Sequence, residues 1–195
     1  MRWLVAAIFL AVPAQADGGR LPALFDVVGV AADDRLNVRA QPDGSAEILG
    51  DLAANAVNIE VVRLNASGAW GQVNLGERAG WASMRFLSRQ AGQPDDQPPA
   101  ITTCYGTEPF WSLNLIDRSF RTPLEELPID TPVIRAASGR SEPWGIIAQT
   151  ERGPIHGILS RNICSDGMSD QQYGLQLDLT HAGSEVYTGC CTLSP

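Results

Sequence analysis

Leu36-Asn37-Val38-Arg39-Ala40-Gln41-Pro42 and, further on, Gly80-Trp81-Ala82-Ser83-Met84-Arg85-Phe86-Leu87 frame the stretch that decides the fold of the first half. Leu36 and Val38 alternate with Asn37 and Arg39, the period-two pattern of a strand with one buried face. Pro42-Asp43-Gly44 signals a turn, and Ile48 and Leu49 begin another strand. Residues 57–64 are β-branched and apolar, and Asn65-Ala66-Ser67-Gly68 turns the chain back. Trp70 and Val73 sit in the next strand, Leu75-Gly76-Glu77 turns again, and Gly80-Trp81-Ala82 starts the return. A brief apolar strand over residues 25–28 precedes them all. Short strands at this spacing, separated by Gly, Asn and Asp, predict a small barrel or sandwich.

The two framing motifs together resemble the bacterial SH3-like domain, a small β-barrel of exported cell-wall proteins, over about residues 24–88. The resemblance implies binding of short wall peptides or partner proteins in a groove lined by aromatic side chains. Phe25, Trp70, Trp81 and Phe86 are the aromatic residues available for it. Tryptophan suits such a groove because it offers a large rigid face and one donor at low entropic cost. Packing of Trp70 and Trp81 into a small core is the competing reading.

The N-terminus reads as a secretory leader. Arg2 supplies a positive charge, residues 3–12 form a short apolar run, and Pro13-Ala14-Gln15-Ala16 ends in small residues, so cleavage is expected before Asp17. An apolar run of about ten residues is too short to span a bilayer core that needs ~20. No cysteine follows it to carry a lipid. The expected product is periplasmic or secreted, with no stable membrane insertion after cleavage.

Composition agrees with that compartment. The formal net charge is -8, and removing residues 1–16 takes away Arg2 and makes it -9. All 14 basic residues are arginines. An acidic surface repels phosphate backbones and carries no electrostatic footprint for nucleic acid. Residues 91–100, Ala91-Gly92-Gln93-Pro94-Asp95-Asp96-Gln97-Pro98-Pro99-Ala100, have no apolar periodicity and hold three prolines, the marks of an extended linker. The expected organisation is a leader (1–16), an SH3-like barrel (17–90), the linker (91–100) and a second domain (101–195).

That second domain holds all 4 cysteines, Cys104, Cys164, Cys190 and Cys191. An even count in an exported domain favours structural disulfides. A bridge between the neighbours Cys190 and Cys191 is disfavoured by ring strain, so Cys104 and Cys164 each reach one of them. In a strand the neighbours point to opposite faces, and the two bridges leave it in opposite directions. Tyr173, Leu175, Leu177 and Leu179 alternate with Gly174, Gln176, Asp178 and Thr180, a half-buried strand that turns at His181-Ala182-Gly183-Ser184 and returns over residues 185–191. Residues 110–116, 119–121, 144–150 and 154–160 also read as strands, and no amphipathic helix of normal length is present. The expectation is all-β throughout.

Three phrases mark this half: Cys104-Tyr105-Gly106-Thr107-Glu108-Pro109-Phe110-Trp111, Cys164-Ser165-Asp166-Gly167-Met168-Ser169-Asp170 and Gly189-Cys190-Cys191. Together they are similar to a family of uncharacterised exported bacterial proteins, often lipoproteins, over about residues 101–192. The resemblance implies no activity. Asp166 and Asp170 lack the alternating oxygens of a calcium loop, and no metal or other cofactor is expected. Glu108 and Asp166 form a carboxylate pair only if the fold brings them together. Pro154-Ile155-His156-Gly157 followed by Ser160-Arg161-Asn162-Ile163-Cys164 faintly resembles L,D-transpeptidases, in which a histidine activates a cysteine nucleophile. Here the two are too close in sequence, no glycine precedes Cys164 and no arginine follows it. The expected function is therefore a non-enzymatic binding or scaffold protein of the bacterial envelope, docking to peptidoglycan peptides or to an envelope protein. A wall-acting cysteine enzyme using Cys164 and His156 is one alternative, and a small inhibitor of foreign wall hydrolases such as lysozyme is the other.

Overall fold

Among residues 19–193, which the computed structural model describes, every regular element is a β-strand except one 3-10 turn at Met84–Phe86. The all-β expectation holds. The leader expected over residues 1–16, with its cleavage point, lies outside the described residues. No helix among those residues is long and apolar enough to cross a membrane.

The N-terminal unit is built from β1 (Ala23–Val27), β2 (Arg35–Arg39), β3 (Ile48–Ala53), β4 (Ile59–Val61), β5 (Arg63–Leu64), β6 (Trp70–Leu75), β7 (Arg78–Ser83) and β8 (Leu87–Arg89). They form two antiparallel sheets, a 3-stranded one in the order β4-β1-β8 and a 5-stranded one in the order β3-β2-β7-β6-β5. The alternation along β2 is obeyed: Leu36 and Val38 are buried, while Arg35 and Asn37 are exposed. Phe25, Val27, Val61, Val73 and Leu87 join them in a small core. The single apolar run of residues 57–64 becomes two strands because the chain changes sheets at the buried Val62, whose N–H donates to Gln72 O (2.9 Å). Changing sheets at a bend is how a sandwich makes a corner.

The second half contains β9 (Ile101–Thr107), β10 (Phe110–Asn114), β11 (Ser119–Arg121), β12 (Glu126–Pro128), β13 (Val133–Ala136), β14 (Trp144–Thr150), β15 (Gly153–Ser160), β16 (Leu175–His181) and β17 (Glu185–Leu193). All belong to one 9-stranded antiparallel sheet in the order β12-β11-β10-β9-β17-β16-β15-β14-β13. Its two edge strands, β12 and β13, are consecutive in sequence and joined only by residues 129–132. That short connection forces the edges together and curls the sheet into a barrel. Asp130 closes the gap, donating its N–H to Gln149 O (3.1 Å) and accepting from Gln149 N on its carboxylate (2.9 Å). Inward residues from both sides of the curl, among them Trp111, Leu113, Phe120, Trp144, Ile155 and Leu177, form a single apolar cluster.

The cysteines pair as alternation along β17 dictates. Cys191 faces the interior and bonds Cys104, its direct neighbour across the β17–β9 ladder. Cys190 faces outward and bonds Cys164, which lies in the long segment between β15 and β16.

Residues 91–100, expected as an extended spacer, pack against the N-terminal strand. The Gln93 side chain accepts from Leu24 N (2.7 Å) and donates to Leu24 O (2.9 Å), adding a rung to β1 where β8 has ended. Asp95 accepts from Arg20 N (2.7 Å) and from the Arg89 guanidinium (3.1 Å). Those two donors outweigh the small effect of burial and hold the Asp95 carboxyl below its ordinary value.

Candidate functional site

The register of the 5-stranded sheet decides which aromatic residues reach its outer surface. Val73 and Ala82 point into the core, so Trp70, paired with Ser83, and Trp81, paired with Gln72 and Arg39, point out. Trp70 and Phe86 line one cleft of about 560 Å³, together with Asp34, Arg35, Arg39 and Ser83. Trp81 shares the outer face but lies outside that cleft, its ring covered by the Arg63 guanidinium at 5.6 Å. Arg63 is held there by its bond to the Gln72 side chain (2.7 Å). Phe25 is buried in the core and offers no ring face. Two of the four residues singled out in the sequence therefore meet. The arginines beside them were legible too, since the alternation that buries Leu36 and Val38 must turn Arg35 and Arg39 outward.

The cleft combines two aromatic faces with charge of both signs. Arg35 is paired with Asp51, and Arg39 donates to Ala46 O (2.6 Å), so both guanidinium groups are oriented before any ligand arrives. Each keeps further N–H groups, and a guanidinium fork matches a carboxylate.

The three phrases of the barrel converge on one wall, and most of their chemistry is structural. Trp111 points inward opposite Gly106, and its indole also lies against Gly189; a side chain at either glycine would collide with it. The indole N–H donates to Thr188 O (3.0 Å), a carbonyl beyond the point where β17 and β9 cease to pair. On the outside, the Cys164–Cys190 bridge holds the loop of residues 164–173 against this splayed pair. Thr107 donates to Asp166 O (2.7 Å). The Asp166 carboxylate accepts from the backbone of Met168 and Ser169 (both 3.0 Å). Burial acts to raise that carboxyl, but those amides and the Ser169 hydroxyl outweigh it and hold it below the ordinary carboxylate range. With its lone pairs given to its own turn, Asp166 is a loop-former.

Two adjoining clefts flank this loop. One, of about 630 Å³, takes in Thr107, Glu108, Phe110, Ile163, Cys164 and Met168. The other, of about 570 Å³, lies between the loop and the outer face of β10 and β11. Glu108 and Asp166 do border the same cleft. Among the described residues no cluster of three or more metal-ligating side chains occurs.

Cys164 carries no thiol, and among the described residues no cysteine is free. His156 projects from the outer face of β15 and is exposed. His181, expected in a turn, is the last residue of β16 and is buried. Its Nε2 meets the Thr150 hydroxyl at 3.0 Å and its Nδ1 meets the Glu185 carboxylate at 3.3 Å. Thr150 donates to Gly153 O (2.9 Å) and accepts from Arg152 N (3.1 Å). The arrangement mimics a hydroxyl–imidazole–carboxylate relay, yet its hydroxyl and imidazole are sealed inside the barrel and the Phe120 ring packs on the imidazole at 4.9 Å. It plugs one end of the core.

Between the halves, Glu60 of β4 accepts from Leu193 N (3.2 Å), while its second oxygen is buried with no partner. Burial pushes its carboxyl up to about 7, against the smaller opposing effect of that bond. Asn74 and Gln172 exchange two bonds (2.8 and 3.0 Å), Gln171 donates to Gly76 O (2.6 Å), and Asp170 N donates to Glu77 O (3.0 Å). Comparison with protein-family models, with curated proteins and with solved structures finds no match.

Proposed function

We propose that this chain is an exported, non-enzymatic binding protein of the bacterial envelope, whose N-terminal unit takes a short peptide bearing a free carboxylate. The observation that carries this reading is the cleft of Trp70 and Phe86, with Arg35 and Arg39 oriented beside it. Aromatic faces bind an extended peptide at little entropic cost, and the guanidinium groups supply a charge-assisted bond to its carboxylate. The secretory pattern of residues 1–16 and the resemblance to SH3-like domains of wall proteins make peptidoglycan stem peptides the first candidate, with a protein of the envelope second. The pairing of Cys164 with Cys190 argues against a Cys164–His156 nucleophile.

Co-sedimentation of the mature chain with peptidoglycan sacculi tests the proposal. Saturable binding is expected, weakened at least about tenfold by Trp70→Ala, as for an aromatic anchor at the centre of an interface. Trp81→Ala is expected to act more weakly because its ring lies outside the cleft. Absence of binding to sacculi and to envelope extracts alike would overturn the reading.

A further inference from the structure

The two disulfides of the barrel stand in opposite surroundings. Cys104 and Cys191 are both fully buried in the interior. Cys190 is buried as well, but its partner Cys164 is half-exposed and lines the cleft of about 630 Å³ on the outer wall. The rim of that cleft carries three exposed apolar side chains, Phe110 (58% exposed), Ile163 (46%) and Met168 (69%), among the polar Thr107, Glu108, Ser165 and Asp166. Large apolar groups left in water around a reactive atom are what a protein partner covers when it docks.

The loop that Cys164 anchors is also the one that grips the N-terminal unit. Its residues Asp170, Gln171 and Gln172 make the bonds to Asn74, Gly76 and Glu77 described above, and Asp170 forms a strand-like bridge with Arg78. Cys164 and Tyr173 exchange backbone bonds of 2.9 Å in both directions, closing the loop into one unit that starts at the disulfide.

From these positions we infer that Cys164–Cys190 is a thiol–disulfide exchange site for a dithiol protein, and that its opening loosens the grip between the two halves. The chemistry is two-step exchange. A thiolate of the dithiol attacks Sγ of the half-exposed Cys164, forming a mixed disulfide as Cys190 Sγ leaves with the electron pair of the broken S–S bond. The second thiolate of the partner then attacks the mixed disulfide and frees Cys164. The partner ends as a disulfide, oxidised by two electrons, and Cys164 and Cys190 end as thiols, each taking up one proton. Cys104–Cys191 takes no part because no nucleophile reaches it while the barrel is closed.

Graded reduction of the mature chain with dithiothreitol, followed by alkylation and peptide mapping, reads the site directly. Cys164 and Cys190 are expected to be labelled together, at least about tenfold faster than Cys104 and Cys191, as access to the attacked sulfur requires. Under conditions where only that bridge is open, hydrogen exchange is expected to rise in residues 165–172 and 74–78 and to stay low in β16. Simultaneous reduction of both bridges would overturn the exchange site. Unchanged exchange in residues 74–78 would overturn the coupling to the grip. The double variant Cys164→Ser/Cys190→Ser provides the second measurement, its hydrogen exchange matching that of the selectively reduced chain. None of these readings depends on sacculus binding.

Discussion

The N-terminal unit and the barrel use tryptophan in opposite ways. Trp70 and Trp81 stand on the outer face of a sheet, opposite Ser83 and Gln72. Trp111 and Trp144 point inward, opposite Gly106 and Ala136, and are almost wholly enclosed. An inward indole in a closed barrel needs a small residue beside it, because the interior packs at crystal-like density and tolerates little excess volume. An outward indole has no such requirement. The contrast is one of tryptophans: the barrel encloses Trp111 and Trp144 for stability, and the N-terminal unit turns Trp70 and Trp81 to its outer face.

The largest effect should come from testing that contrast directly. Trp111→Ala removes a ring that touches Phe120 and Tyr187 (centroids at 6.4 and 5.9 Å) and is expected to cost about 3–5 kcal/mol. Trp70→Ala should cost under about 1 kcal/mol, as a half-exposed position implies. Denaturant titration of both variants decides; equal losses would break the comparison.

Glu60 sharpens it at the junction. In the folded chain its carboxyl keeps its proton to about pH 7, whereas the unfolded chain releases it near the ordinary value of 4.5. Between those values the folded state binds more protons, so this group's contribution to stability falls as pH rises through the window and levels off above it. Glu60→Gln should remove that slope and exceed the parent chain by on the order of 2–3 kcal/mol at pH 8, with no gain at pH 4. Unfolding free energies at the two values measure it.

Smaller than either the Trp111 or the Glu60 effect is that of Asn74→Ala, which deletes two bonds across the junction and is expected to cost about 1–2 kcal/mol. Its signature in calorimetry is the appearance of an earlier transition for the N-terminal unit ahead of the barrel. A single transition, shifted but undivided, would mean that the halves unfold as one body regardless of this contact.

Much of the fold was legible because its strands alternate cleanly. β2, β10, β14, β15 and β16 all follow the period-two pattern of their residues, with boundaries within a few positions of those read from sequence. The missed strands were β8, β9, β12 and β13; β8 is three residues long and buries only Leu87. β12 holds only Leu127 between a glutamate and a proline, and β13 is short and largely exposed, so neither has a periodicity to read. The first phrase hid β9, since Gly106 and the adjoining Glu108-Pro109 look like loop until Trp111 is seen to fill the space that Gly106 leaves. His181 was misplaced for a related reason: a polar residue beside Ala182-Gly183 reads as turn, and only the partners Thr150 and Glu185 let it be buried. The half-legible site follows the same logic. Alternation exposes Trp70, Arg35 and Arg39, but no local pattern says that Phe25 faces the core while Phe86 borders the cleft.

The neighbouring cysteines of β17 carry one more consequence. Because successive residues alternate between faces, a slip of the last strand by a single position exchanges the roles of Cys190 and Cys191 and presents the wrong sulfur to Cys104. The pair thus works as a register check: the alignment found here yields the two bridges, and a one-residue slip yields crossed bridges that lock the error in place. Accurate assembly then depends on sequence in time, with the backbone ladder settling before the sulfurs are oxidised, and an isomerising thiol is the natural editor of any copy in which oxidation came first.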